Sequence, residues 1–227
     1  MPASWKAVYE TQVAGVWLLL VPSVLFLARL AVRGWAPDPG VEPYAARWVR
    51  IWTVVFAIAA IADPIATGLF ALPLVPFVLL GDFRVFALLL PVMQPGRSRA
   101  GALLEAIAWT LPVPLLALGI VRAKALALGI VPPESTLWMT YEAAFAGLAV
   151  FFAARVVPHR VGIERPAVRR YAVAVMAFVA TYYLLWFASD ALVARGVDAG
   201  WALRVVPNVL YYGVLVPFAY WRFFGRL

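Results

Sequence analysis

Hydrophobic residues run along this chain in blocks of about twenty, with most polar residues gathered between the blocks. A bilayer core about 30 Å thick takes roughly 20 helical residues to cross. Blocks at 11–32, 49–70, 72–93, 100–121, 136–157, 170–194 and 202–224 therefore predict seven transmembrane helices. The second and third nearly run together, and the break falls around Ala71-Leu72-Pro73, where the proline disfavours a continuous helix. The stretch from Leu116 to Val131 is ambiguous, since Arg122 and Lys124 interrupt an apolar run. It reads either as a helix end with an interfacial segment or as part of an eighth element.

The first block is too long for a signal-peptide core and reads as a retained helix. The one extended polar connection runs from Gly34 to Arg47 and is rich in proline and glycine. No linker or repeat divides the chain. The expected fold is a single all-α polytopic bundle over residues 1–227, with no separate soluble domain.

Composition strengthens this reading. The 227 residues are 65% hydrophobic and 13% charged, against roughly 45–50% and about 25% for a soluble domain. The net charge of +8 is spread around the apolar blocks, which argues against a nucleic-acid surface and for contacts with lipid headgroups. Membrane lipids are the expected partners. In a seven-span chain, thirteen basic residues fall on one side: Arg29, Arg33, Arg47, Arg50, Arg97, Arg99, Arg155, Arg160, Arg165, Arg169, Arg170, Arg222 and Arg226. Only Lys6, Arg122, Lys124, Arg195 and Arg204 fall on the other. That asymmetry predicts a cytoplasmic C-terminus and an external N-terminus in a bacterial inner (plasma) membrane.

The absence of cysteine removes disulfides, thiolate metal sites and thiol nucleophiles. The single histidine, His159, sits in a basic stretch read as a loop, which argues against histidine-rich metal sites and Ser-His triads. No metal or other cofactor is expected. A retinal-type Schiff base is disfavoured too, because Lys6 and Lys124 lie outside the predicted spans.

The candidate chemistry lies in acids placed inside hydrocarbon: Asp63, Asp82, Glu105, Glu142 and Asp190, five of eleven acidic residues. A charge at the bilayer centre costs at least a few kcal/mol, so such residues face a protein interior or a wet cavity and mark function by default. Asp63 precedes Pro64 and Thr67, Glu142 follows Tyr141, and Asn208, the only asparagine, follows Pro207. Asp63, Glu142, Asp190 and Asn208 are expected in the outer half, with Asp82 and Arg84 below them near mid-span. Asp82 and Arg84 are two positions apart, about 200° around a helix, so they do not pair. Arg84 is expected to reach a carboxylate or carbonyls on a neighbouring helix.

Tyr183, Trp186 and Phe187 precede Asp190 by seven, four and three residues and share its face. Arg204, Tyr211 and Tyr212 lie on or near the face of Asn208. Trp109 and Trp186 lie deep enough to line a pocket or to pack. Glu105, near a span end, is the weakest of the acids as a functional residue.

Low dielectric disfavours the charged form of a carboxyl group, which makes a buried one a candidate general acid. A second, better-solvated carboxylate would complete an acid–base arrangement. The same groups would equally suit a proton or solute pathway, and Pro64, Pro112, Pro114 and Pro207 would open helices around it. A scaffold or a binding protein for an apolar ligand is the third class.

The segment from Trp186 to Ala194 resembles the Phe-x-x-Ser-Asp-x-x-x-Ala stretch of the YhhN-like lysoplasmalogenase family, and Gly81-Asp82 is similar to that family's Gly-Asp motif. Tyr211-Tyr212-Gly213-Val214-Leu215-Val216 is a weaker match to its Tyr-Tyr-x-x-Gln-Leu-Ile segment, without the glutamine, and no histidine-tyrosine element follows Asp82. The matches cover under a tenth of the chain. The resemblance implies hydrolysis of the vinyl ether of a lysoplasmalogen, a lipid-like substrate, with Asp82 as the buried acid and Asp190 orienting water. Asp63, Arg84, Glu142, Tyr183, Trp186, Asn208 and Tyr212 would line the substrate site. The expected depths of Asp82 and Asp190 differ by about 9 Å at 1.5 Å per residue, a gap that helix tilt would have to close.

Overall fold

The computed structural model describes residues 4–10, 16–35, 43–70 and 74–225. Among these residues every regular element is helical. A short α1 (Trp5–Val8) is followed by α2 (Val16–Arg33), α3 (Pro43–Leu69) and α4 (Leu74–Met93). Then come α5 (Arg99–Thr110), α6 (Pro112–Leu128) and α7 (Glu134–Phe151), which continues through a π-helical segment, Phe152–Val156, into α8 (Val157–Arg160). The chain closes with α9 (Pro166–Ala194), α10 (Ala199–Asn208), a second π-helical segment at Val209–Val214, and α11 (Leu215–Phe224). Five continuous helical runs are long and apolar enough to cross a membrane: Pro43–Asp63, Arg99–Leu128, Glu134–Arg160, Pro166–Ala194 and Ala199–Phe224. The protein has the architecture of an integral membrane protein.

The two remaining apolar blocks form α2 and α4, of 18 and 20 residues. The predicted break at 71–73 and the beginning of the first block at 11–15 lie outside the described residues, as does the middle of the Gly34–Arg47 connection. Two expectations need correction. The ambiguous stretch after Leu116 is not a separate element: α5 and α6 form one 30-residue run that bends at Leu111-Pro112. Arg122-Ala-Lys-Ala-Leu-Ala-Leu is rich in strong helix formers, so the helix continues past its charges. It stops at Gly129, which takes the left-handed φ of 65°. The basic stretch around His159 is likewise helical, with Arg160 in a last turn where a cation complements the helix dipole.

Burial divides the helices by composition. The second half of α4, from Val85 to Met93, is apolar without periodicity and buried on every face. This helix is the axis of the bundle: α3, α5 and α9 pack against it, α7 packs on α9, and α10 packs on the far part of α9. By contrast, α6 leaves Leu115, Leu116, Leu118 and Leu126 exposed, the pattern of a wall facing hydrocarbon.

Three of the residues counted as one basic side, Arg29, Arg50 and Arg165, are held against the helices by carbonyls or rings. The Arg165 guanidinium donates to the carbonyls of Val92 and Met93 at 2.9 Å each. Arg29 lies over the Trp221 ring at 4.4 Å and Arg50 over Phe224 at 5.1 Å. Elsewhere α1 is fastened to the start of α10, because the Asp198 carboxylate accepts the backbone N–H groups of Trp5 and Lys6 at 2.8 and 3.1 Å.

Candidate functional site

Asp82 lies in the first half of α4 with no exposed surface. The hydroxyls of Tyr141 (α7) and Tyr183 (α9) donate to its two oxygens, one to each. Both faces of the carboxyl are thereby fixed by neighbouring helices, as an intramembrane acid requires. Phe145 stacks between those tyrosines, with ring centroids 6.1 Å from Tyr141 and 4.6 Å from Tyr183. The preceding residue must be glycine, because a side chain at position 81 would occupy the space of the Tyr211 phenol.

Arg84 turns away from Asp82, as the helical spacing predicts, and its Nη2 donates to the carbonyl of Tyr211. That carbonyl is available because of the π-helical segment after Pro207. The Leu215 N–H reaches back five residues to Leu210, whereas an α-helical turn would have bonded it to Tyr211. The guanidinium also lies over the Tyr211 ring at 4.4 Å. The buried Asp63 carboxylate is within electrostatic reach of it. Arg84 therefore seals an opened turn of one helix while balancing an acid on another.

A second polar network occupies the end of the bundle near α1. Asp190 (α9) and Arg204 (α10) form an ion pair at 3.2 Å, and the buried Glu142 (α7) carboxyl lies within electrostatic reach of both. Alongside, the Trp186 indole donates to Asn208 Oδ1 at 2.8 Å, and the Asn208 amide donates to the Tyr9 hydroxyl at 2.8 Å. Arg204 lies 5.8 Å from the Tyr9 ring.

The expected site residues thus separate into two groups. Asp82, Tyr183, Arg84 and Asp63 belong to the first, with Tyr212 stacked edge-on against Tyr211 at 4.8 Å. Glu142, Asp190, Trp186 and Asn208 belong to the second. One face of α9 runs through both, since Tyr183 serves Asp82, Trp186 serves Asn208 and Asp190 serves Arg204. Phe187 does not share that inward face and is 36% exposed, a correction that follows from its 60° offset from Asp190.

Glu105 is taken up by Arg97 and Arg160 at the arginine-rich end, with the Trp109 indole donating at 3.2 Å. Trp109 packs on Phe86 and Phe152, with centroids 6.1 and 5.1 Å away. Sequence reasoning gave no role to Tyr141 or Tyr9. The signal for Tyr141 was present: a phenol beside an acid within an apolar block, a polar group that has to find a partner when buried.

Tyr141 also forms part of an apolar recess of about 70 Å³ between α4, α6 and α7, lined by Val78, Leu79, Pro114, Leu137 and Trp138. Exposed Leu118 stands at its rim. Only carbon atoms line the recess, so the Tyr141 ring forms part of its wall while the hydroxyl stays inside the bundle on Asp82. Among the described residues, no three acidic or histidine side chains cluster in a way that would hold a metal ion. No protein-family model matches the chain, and neither a curated protein nor a solved structure matches it.

Proposed function

We propose that the protein is a membrane-embedded, lipid-modifying enzyme that uses Asp82 as its acid and base, with Tyr141 between Asp82 and the substrate. The observation that carries this reading is the position of Tyr141, whose hydroxyl bonds the buried carboxyl while its ring lines an apolar recess beside exposed Leu118; in this reading the recess admits the lipid. In this reading α2 and α4 join the five longest runs as spans. The arginine-rich end faces the cytoplasm of a bacterial inner membrane, and the N-terminus lies outside.

The substrate class we favour is the vinyl ether of a lysoplasmalogen. The Tyr141 phenol turns its own proton to the β-carbon of the vinyl ether while its oxygen takes one from the protonated Asp82 carboxyl, so the Asp82–Tyr141 hydrogen bond reverses direction in this step. Water then adds to the α-carbon of the oxocarbenium ion and returns a proton to the carboxylate. The resulting hemiacetal collapses to a fatty aldehyde and a glycerophospholipid alcohol. No metal, thiol or histidine enters the cycle. The Glu142–Asp190–Arg204 network supplies the aqueous side, with Asp190 orienting water and exchanging protons. A single low-dielectric acid supplies the chemistry, and its two phenol contacts hold it ready.

The test is release of fatty aldehyde from a vinyl-ether lysophospholipid by the purified protein in lipid nanodiscs. Aldehyde from the wild type and none from folded Asp82→Asn supports the reading; equal activity of the two overturns it. A second reading, a proton or small-solute pathway, draws on the succession of the two networks along α9. Flux in proteoliposomes altered by Glu142→Gln or Asp63→Asn, with no lipid turnover, would replace the enzymatic reading with this one.

A further inference from the structure

At the arginine-rich end, α3 and α5 frame a groove of about 230 Å³ whose lining includes Tyr44, Arg47, Trp48, Trp52, Arg99 and Leu103. Its floor is the outer part of a ladder of rings at four-residue spacing on α3, of which Tyr44, Trp48 and Trp52 line the groove. Tyr44 to Trp48, Trp48 to Trp52 and Trp52 to Phe56 have centroids 6.2, 5.2 and 5.2 Å apart. The ladder begins at the bundle end and runs toward its middle. Trp48 is locked in place because its indole donates to the Ala87 carbonyl at 2.9 Å. Among the described residues the groove carries only positive charge: Arg47 and Arg99 are exposed, one from each wall, and no carboxylate is among its lining. Neither guanidinium pairs with an acid among the described residues. The Tyr44 hydroxyl is buried in the same wall and has no hydrogen-bond partner among the described residues.

We propose that this groove binds one anionic phospholipid, its phosphate held between Arg47 and Arg99 with a hydrogen bond from the Tyr44 hydroxyl, and an acyl chain lying on the Trp48–Trp52–Leu103 surface. Guanidinium forks suit phosphate oxygens, and two of them facing each other across an apolar floor match a headgroup anchored by its tail. A free anion would use the mouth and leave the ring ladder uncovered. An acidic peptide would have to put its backbone polar groups against hydrocarbon. The position, at the basic end of the helices, is where anionic headgroups collect. None of its lining residues belongs to the group around Asp82, and the proposal stands independently of the enzymatic reading.

The experiment is native mass spectrometry of the full-length protein released from nanodiscs containing equal amounts of phosphatidylglycerol and phosphatidylcholine with the same acyl chains. The wild type should keep one phosphatidylglycerol preferentially. Arg47→Gln/Arg99→Gln should lower that retention about tenfold, and Arg47→Lys/Arg99→Lys should recover only part of it. Arg122→Gln/Lys124→Gln, which removes the same charge at the other end, should leave it unchanged. Inorganic phosphate at millimolar concentration should not displace the lipid. Equal retention of the two lipids, wild-type retention by Arg47→Gln/Arg99→Gln, equal losses in both double variants, or displacement by phosphate would each overturn the proposal. All the substituted arginines and Lys124 are exposed, and an unchanged thermal midpoint for each variant confirms that folding is not what is being read.

Discussion

Gly81 lies so close to the Tyr211 phenol that a methyl group on its Cα would overlap the hydroxyl. The phenol in turn donates to the Val78 carbonyl at 3.3 Å, so Tyr211 is wedged against α4 one residue before Asp82. Gly81→Ala should force the ring out, at an overpacking cost of about 1–3 kcal/mol, and lower the thermal midpoint in detergent. Gly81→Ala/Tyr211→Leu should recover part of the loss, because the two changes share one space. A Gly81→Ala protein as stable as the wild type would show that the gap is not filled as described.

Arg84 makes a second prediction. It holds the Tyr211 carbonyl, covers the ring and faces Asp63. Arg84→Met should cost about 3 kcal/mol, the scale of stranding a buried partner. Asp63→Asn/Arg84→Met should lose less than the sum of the single changes, with a coupling of about 1 kcal/mol in a double-mutant cycle. Strict additivity would separate the two residues.

The two tyrosines on Asp82 should not be equivalent in turnover. Tyr141 lines the recess, whereas Tyr183 is buried against Phe145 and Trp186. Removing a proton-transferring group costs on the order of 10²-fold or more, which is the loss in aldehyde release expected for Tyr141→Phe. Tyr183→Phe should cost about tenfold, the equivalent of one lost hydrogen bond. The reverse order would move the substrate to the other side of Asp82.

In the second network the ion pair predicts different outcomes for the two acids. Glu142→Gln keeps the size and polarity of the side chain and leaves the Asp190–Arg204 pair intact, so it should change stability by less than about 0.5 kcal/mol. Asp190→Asn leaves Arg204, which is about one-quarter exposed, without its counter-charge and should cost about 1–2 kcal/mol. Thermal unfolding of the two variants side by side checks this; equal losses would show that the ion pair is not what holds the network.

Much of this was legible before the fold. The apolar blocks marked the helices, and the 200° between Asp82 and Arg84 showed that each needed its own partner and turned Arg84 toward a carbonyl. Which carbonyl was not legible, because it depends on a turn that widens after Pro207, and no apolar period records that. The union of Glu142, Asp190 and Arg204 depends on how α7, α9 and α10 rotate against one another. Rotation is poorly encoded where every face is apolar. Tyr9 reaches Asn208 only because Asp198 fastens α1 across the chain, a long-range contact made by an ordinary surface acid.

The placement of Asp82 and Arg84 on the axial helix also bears on how the protein is made. Both oxygens of Asp82 and Nη2 of Arg84 find their partners in Tyr141, Tyr183 and the Tyr211 carbonyl, all synthesised after α4. In the proposed reading with α4 as a span, these groups have no such partners until the later helices follow, and an ionised group costs about 2.5–3.5 kcal/mol at a membrane centre. In that reading α4 would not settle in lipid as an independent span and would depend on the helices behind it to enclose it.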